Sequence, residues 1–304
     1  MSITDRPSLG ISLRILSGLL AAGMFVCVNA VSHHVPLGEI VFFRSFFALI
    51  PLVLFLWIRN EFPSGLATKR PGAHFFRSAF GALALFTSFT AIARLNVAEA
   101  ILIAQLSPIL MAVAAVVLLS ERFTVWRVIG LAFGFVGVAA LVWPELEKGS
   151  NDPARLIGYV FGLVAAALSA LALIMVRNLN RTESPGAIAL YFVLASMLGA
   201  LLTLPWGWVV PESQTLFLLI AAGLFGGFAH IAMTLAFRYA EASRLAPFEY
   251  VAVLWPVLVD VFIFKLQLSA PFWIAMPMIL VGAAIAAAEK GSQGSACSAK
   301  MVSR

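Results

Sequence analysis

The chain has 304 residues, of which 62% are hydrophobic and 11% charged, and its mean hydropathy is +1.00. A soluble domain carries about a quarter charged residues and could not hide so much apolar surface, so the composition excludes an ordinary soluble protein and indicates a lipid bilayer as the solvent. The net charge is +6, but the basic residues lie between apolar runs, so we expect a topological role for them and no nucleic-acid partner.

Ten apolar runs follow one another along the chain, each close to the roughly 20 residues that a helix needs to cross the hydrocarbon. Helices are expected because lipid offers no partners to backbone amides, and because the runs lack the alternation of barrel strands. Residues 290–304 are small and polar and are expected to form a disordered cytoplasmic tail. The runs lie near residues 13–32, 37–58, 74–94, 97–119, 126–143, 157–176, 186–206, 215–237, 245–264 and 270–288.

The distribution of lysine and arginine predicts the orientation. With both termini in the cytoplasm, fifteen basic residues, Arg14 and Arg77 among them, are assigned to the inner side and four to the outer side, while Arg44 lies inside a span. This bias supports an even number of spans. We therefore expect a multi-pass membrane protein with both termini in the cytoplasm.

An internal repeat emerges when the sequence is shifted by 145 residues. Gly81 then falls on Gly226, and the segment that begins at Gly137 falls on the one that begins at Gly282. Each half would hold five spans, an odd number, so the second half would enter the membrane from the opposite side. Chance similarity between two apolar sequences is the alternative, but the matched loops and the odd span count favour a true inverted repeat, which is typical of secondary carriers.

Three segments resemble the EamA branch of the drug/metabolite transporter superfamily: PLGEIVFFRSFF from Pro36, NVAEAILIAQLSP from Asn96, and AFRYAEASRLAPFEYVAVLW from Ala236. The resemblance implies an all-α membrane protein with ten transmembrane helices in two inverted five-helix repeats, over residues 11–144 and 156–289, around a central cavity. Where the family tends to have a Gly-Glu pair, this chain has Ser120-Glu121 in the first repeat and Leu266-Gln267 in the second.

Within the family, the chain looks most like bacterial riboflavin and S-adenosylmethionine uptake carriers, and related members export amino acids. The resemblance therefore implies a transporter of a small organic molecule. Riboflavin uptake is the specific prediction, with import or export of another metabolite as the alternative.

Two polar residues stand inside predicted spans of the first repeat. Arg44 lies about seven residues into its span, and an arginine at such depth is costly unless it faces a cavity or a partner. Substrate binding is one reading; snorkelling, or pairing with Glu39 or Glu99, is the other. Gln105 precedes Ser107-Pro108, where a proline frees a backbone carbonyl, and it either lines a cavity or bonds a neighbouring helix.

The second repeat offers further candidates for substrate binding. Glu249 and Tyr250 begin the ninth span, where a carboxylate also suits the helix dipole, and Trp255-Pro256 is expected to kink that span around the cargo. His230 lies within the eighth span, either as a packing residue or as a group that protonates during transport. Phe89 and Phe228, on the third and eighth spans, either stack on a flat substrate or serve packing.

Enzymatic signals are missing from the sequence. It has no phosphate loop, no nucleophile–base pair and no metal-ligand spacing, so we expect neither an enzyme nor a bound cofactor. The expected partners are a small-molecule substrate and the lipid bilayer, and homodimerisation is left open. A lipid-handling protein and a non-transporting membrane receptor are the alternative classes.

Overall fold

The computed structural model describes residues 6–63, 67–68, 70–107, 109–111, 114, 125–147, 153–179, 182–239, 253–282 and 284–285, and within these ranges the regular structure is entirely helical. Four features predicted from the sequence lie outside the described residues: Glu249, Tyr250, the Ser120-Glu121 pair and the tail 290–304.

The helices are numbered α1 to α10 along the described parts of the chain. Four of them begin with a proline, a residue that fits the first helical position because its missing N–H has no partner there in any case. The α9 helix passes directly into a π-helical turn, Val259–Ile263. The bounds are α1 Pro7–Val31, α2 Leu37–Ile58, α3 Pro71–Ile92, α4 Val97–Ala104, α5 Val125–Glu147, α6 Pro153–Leu179, α7 Pro185–Leu201, α8 Ser213–Tyr239, α9 Leu254–Leu258 and α10 Ala270–Gly282.

Five helices, α1, α2, α3, α6 and α8, are long and apolar enough to cross a membrane. Shorter apolar helical segments lie in α4, α5, α7 and α10. The expectation of a helical multi-span protein is confirmed for the described residues, and the α2 bounds match the predicted run at 37–58. The exact number of ten spans stays a prediction.

The helix packing repeats between the two halves of the chain. The most extensive contacts join α1 to α8 and α3 to α6, and a shift by 145 residues converts the first pair into the second. The glycines related by that shift meet at one interface: a Cβ on Gly137 would lie 3.2 Å from the Ala275 carbonyl oxygen of α10, and one on Gly282 would lie 2.6 Å from the Gly130 carbonyl oxygen of α5. This arrangement fits a two-repeat layout.

Polar links join the two halves at the end of the bundle that holds the N-termini of α2, α4 and α8, here called the α2 end. The Val209 amide donates to Glu39 at 3.0 Å, and the Ala98 amide donates to Asp260 at 2.7 Å. A third link at this end is an ion pair, in which the Arg155 guanidinium lies 3.0 Å from the Glu99 carboxylate. Glu39, Glu99 and Asp260 are all buried.

The opposite end, which holds the N-termini of α1 and α3, has its own links between the halves. The His74 imidazole lies 3.6 Å from the Glu183 carboxylate, and the Thr68 hydroxyl donates to Glu183 at 3.1 Å. Both ends of the bundle are therefore tied across the two halves by contacts between side chains or backbone amides.

Candidate functional site

A cavity of about 350 Å³ lies between these two ends, with walls from α1, α2, α3, α6, α7 and α8. Its volume is at the lower end of the range for small-molecule sites. Both halves of the chain contribute to it, so it lies where an inverted-repeat carrier would bind its substrate.

The two principal walls of the cavity are related by the internal repeat. Four of the α3 residues that line the cavity have counterparts 145 positions later, on α8, that line it as well. These pairs are Gly81 with Gly226, Ala84 with Ala229, Leu85 with His230, and Ser88 with Met233.

Arg44 reaches the cavity from α2, and its residue is only 2% exposed. Its Nε donates to the Met24 thioether at 3.4 Å, and thioether sulfur is a weak acceptor. Its Nη1 is buried and has no hydrogen-bond partner within the described ranges. Neither carboxylate proposed from the sequence neutralises it: Glu39 accepts the Val209 amide, and Glu99 pairs with Arg155. An arginine in the centre of a membrane helix costs about 3 kcal/mol or more, so the site maintains an unfavourable charge.

Arg77 lies on α3 and faces the same cavity. Its guanidinium carbon stands 4.6 Å from the centre of the Phe192 ring, in a cation–π contact. Its Nε and Nη1 are buried and have no hydrogen-bond partner among the described residues. Arg14 reaches the same cavity from α1, so three arginines of the first half meet there.

Arg14 and Arg77 were assigned from the sequence to the cytoplasmic-side charges that set the orientation, and a role in the cavity was missed. Both lie within about two turns of a helix N-terminus, which made an interfacial position the simpler reading. Gly81, one turn after Arg77, was the available sign of a role in the cavity. A glycine at that spacing leaves room for the guanidinium to lie along the helix towards its middle.

The aromatic residues divide between the cavity and its surroundings. His230 lines the cavity, and its ring meets Phe192 at 6.1 Å in an edge-on arrangement. Phe89 is fully buried outside the lining, where it packs edge to face against Phe25, a lining residue. Phe228 is 48% exposed and also lies outside the lining. Stacking of a substrate on Phe89 and Phe228 stays a prediction.

Two of the other predicted site residues, Gln105 and Trp255, lie within the described part of the chain. Gln105 is half-buried in the turn that ends α4, and Trp255 is half-buried in α9 with no hydrogen-bond partner for its Nε1. Neither belongs to the cavity lining. The described residues contain no group of three His, Cys, Asp or Glu side chains that could hold a metal ion.

Comparisons with known proteins agree with this architecture. The model of the EamA-like transporter family matches residues 8–143 and again residues 156–288. A solved crystal structure superimposes with a TM-score of 0.66 at 21% identity, covering 93% of this chain and 98% of that one, which shows a shared fold.

Curated relatives include several bacterial transporters. A pseudopaline exporter of Pseudomonas aeruginosa is 27% identical over 83% of this chain and 87% of its own length. A riboflavin transporter of Brucella anthropi is 26% identical over 81% and 86%, and an S-adenosylmethionine uptake transporter of Rickettsia prowazekii is 27% identical over 75% and 74%.

These relatives and the apolar helices indicate a multi-pass inner-membrane protein that transports a metabolite. The expected resemblance is confirmed by a family match that extends over both halves of the chain. The chain belongs to the EamA-like transporter family.

Proposed function

We propose that this chain is a secondary transporter that carries a small organic metabolite across the bacterial inner membrane, with the central cavity as its substrate site. The observation that carries the proposal is a cavity whose α3 and α8 walls are related by the internal repeat and which contains the buried guanidinium of Arg44. A protein that only anchored or scaffolded other components would have no reason to maintain that charge in the hydrocarbon.

The proposed mechanism is alternating access between two inverted five-helix repeats, residues 11–144 and 156–289, with both termini in the cytoplasm. In this orientation the α2 end faces outward, and the amide–carboxylate bonds of Glu39 and Asp260 close it. Rocking one repeat against the other would break these bonds and open the cavity to the outside. The His74–Glu183 contact at the opposite end would keep the inner side closed in that state.

Riboflavin uptake is the specific cargo and direction that the sequence resemblance favours, and a named riboflavin transporter is among the relatives. One aromatic side chain on the cavity, Phe25, offers a ring surface for a planar ring system, whereas the Phe192 ring is already in contact with Arg77. Uptake of S-adenosylmethionine and transport of an amino acid, in either direction, are the alternatives. A non-transporting receptor or a lipid-handling protein is the alternative class.

Two experiments test the proposal. Purified protein in liposomes should exchange at least one labelled metabolite across the membrane faster than empty liposomes, and no exchange of any compound would refute transport. For the specific cargo, expression in a riboflavin-auxotrophic bacterium without uptake should restore growth on low riboflavin, and Arg44→Ala at equal membrane abundance should remove it. Exchange without such a rescue would point to another metabolite or to export.

A further inference from the structure

We propose that the cargo is an organic anion whose carboxylate or phosphate group is bound jointly by Arg44 and Arg77. This inference rests on the transport function proposed above and narrows it to a chemical class. Among the possible cargoes, it disfavours uncharged riboflavin, so restored growth in the riboflavin test above would count against it, and it also disfavours the cationic S-adenosylmethionine.

The charge of the cavity is the first observation. Three arginines line it, Arg14, Arg44 and Arg77, and none of the described residues in its lining is an aspartate or a glutamate. The two carboxylates that the sequence offered as partners for Arg44, Glu39 and Glu99, are bound at the α2 end by Val209 and Arg155. Arg44 and Arg77 therefore give the cavity a positive charge that no described lining residue neutralises, and such a cavity attracts anions and repels cations.

The unused hydrogen-bond donors are the second observation. Arg44 Nη1 and Arg77 Nε and Nη1 are buried, and none of these atoms has a hydrogen-bond partner in the described part of the chain. The Arg77 guanidinium carbon lies over the Phe192 ring, which provides no lone-pair acceptor for these N–H groups. Buried polar groups are rarely left unsatisfied in proteins, so donors of this kind on a cavity indicate a ligand that accepts hydrogen bonds. The planar fork of arginine matches a carboxylate or a phosphate.

The glycines beside the two guanidinium groups are the third observation. A Cβ on Gly226 would lie 3.1 Å from both Nε and Nη2 of Arg44, and a Cβ on Gly81 would overlap Nη1 of Arg77. Gly226 and Gly81 are equivalent in the internal repeat and lie near the middles of α8 and α3. Each guanidinium therefore lies against a mid-helix glycine, so the two charged groups are held deep in the bundle and cannot be explained by snorkelling to an interface.

The test is an exchange experiment that does not presuppose the cargo. Liposomes containing the full-length protein are filled with an unlabelled bacterial metabolite extract and diluted into the same extract labelled with carbon-13. Mass spectrometry of the recovered liposomes identifies the labelled compounds that entered. Counter-exchange works for either direction of transport and for either orientation of the protein in the liposome.

Every outcome is decisive. Selective entry of compounds that have a net negative charge and a carboxylate or phosphate group supports the inference. Selective entry of neutral, zwitterionic or cationic compounds leaves the transport function standing and overturns the proposed anionic cargo. No entry beyond that of empty liposomes overturns the transport function itself.

Substitutions then test the binding groups. Arg44→Gln and Arg77→Gln should each slow exchange of the leading anion about tenfold to a hundredfold at low concentration, because each removes charge-assisted bonds, and Arg44→Lys should retain part of the activity. Arg59→Gln, at the residue that directly follows α2 and outside the cavity lining, is the matched control and should exchange normally. Normal anion exchange by the Arg44→Gln, Arg77→Gln double variant would overturn the assignment.

Discussion

Gly226→Ala tests whether the placement of Arg44, beyond its presence, matters for binding. The added Cβ would lie 2.8 Å from the Met24 sulfur and 3.1 Å from Nε and Nη2 of Arg44. All three atoms belong to the far ends of flexible side chains, so the backbones of α1 and α2 need not move. The guanidinium must instead shift by a few tenths of an ångström, away from the position it holds in the cavity.

The expected effect is on substrate affinity with little effect on the fold. Replacing a helical glycine by alanine stabilises a helix by about 0.5–1 kcal/mol, which offsets part of the crowding against Met24 and Arg44. Displacing a charge-assisted hydrogen bond costs about 1–1.5 kcal/mol of binding, equivalent to a rise in KM of about fivefold to tenfold. The thermal stability of the substrate-free protein should therefore change little.

Two other glycines serve as controls for this substitution. A Cβ on Gly199 of α7 would meet no atom within 4 Å, so Gly199→Ala should leave KM unchanged. A Cβ on Gly223 of α8 would overlap Phe47 and lie 3.0 Å from the Arg44 carbonyl oxygen, so Gly223→Ala must push backbone apart and should lower stability by about 1–3 kcal/mol.

The assay is the initial rate of counter-exchange of the leading labelled metabolite over a range of concentrations, together with the unfolding temperature of each variant. A Gly226→Ala protein with the KM of the unsubstituted chain would refute the reasoning. So would a Gly199→Ala protein that loses affinity to the same extent, because glycine replacement as such would then be the cause.

Three further predictions concern stability. Arg44→Gln should raise the unfolding temperature of the substrate-free protein, because it removes a buried charge whose partner in the described residues is the Met24 thioether. A marked fall in the unfolding temperature would show that Arg44 has a structural partner. Asp260→Ala should destabilise the protein by about 0.5–2 kcal/mol, because it removes the acceptor for the Ala98 amide at the start of α4. Asp260→Asn retains an acceptor oxygen, so its stability should fall less in the same thermal assay. Phe89→Ala should lower the free energy of unfolding by about 3–5 kcal/mol, because the Phe89 side chain is fully buried. Phe228 is half-exposed, so Phe228→Ala should lower it by less than about 1 kcal/mol. Equal losses would show that burial does not determine the difference.

Much of the architecture follows from apolar run length, because the bilayer imposes one helix length and forbids exposed backbone. The predicted run at 37–58 coincides with α2, and the repeat shift of 145 residues carries α3 onto α8. The sequence also placed Arg44 and His230 within spans, and both line the cavity. Depth along a helix axis can be counted from sequence, and these two predictions needed only depth.

Direction around the helix axis is what the sequence could not supply. In a soluble helix the apolar face marks the interior, but lipid makes the outer face of a membrane helix apolar as well. Arg77 was therefore interpreted by its nearness to a helix end, although its side chain folds back towards Gly81 and into the cavity. The partner of Glu39 was missed for a related reason, because Val209 is distant in sequence and is brought to α2 only by the packing of the other half.

The α3 and α8 walls of the cavity are related by the internal repeat, but its arginines have no counterparts in the second half. The positions 145 residues after Arg14, Arg44 and Arg77 are Tyr159, Ala189 and Ala222, so the guanidinium groups all come from the first half. An anion bound by these arginines would move with the first repeat while the second repeat rocks past it. On this mechanism, changes to the second-half wall at Ser169 or Met233 should alter the maximal exchange rate more than KM, whereas changes to the arginines should raise KM. If changes at Ser169 or Met233 raised KM and changes to the arginines mainly altered the maximal rate, both halves would hold the cargo. The location of the arginines in the first half would then not determine which repeat carries it.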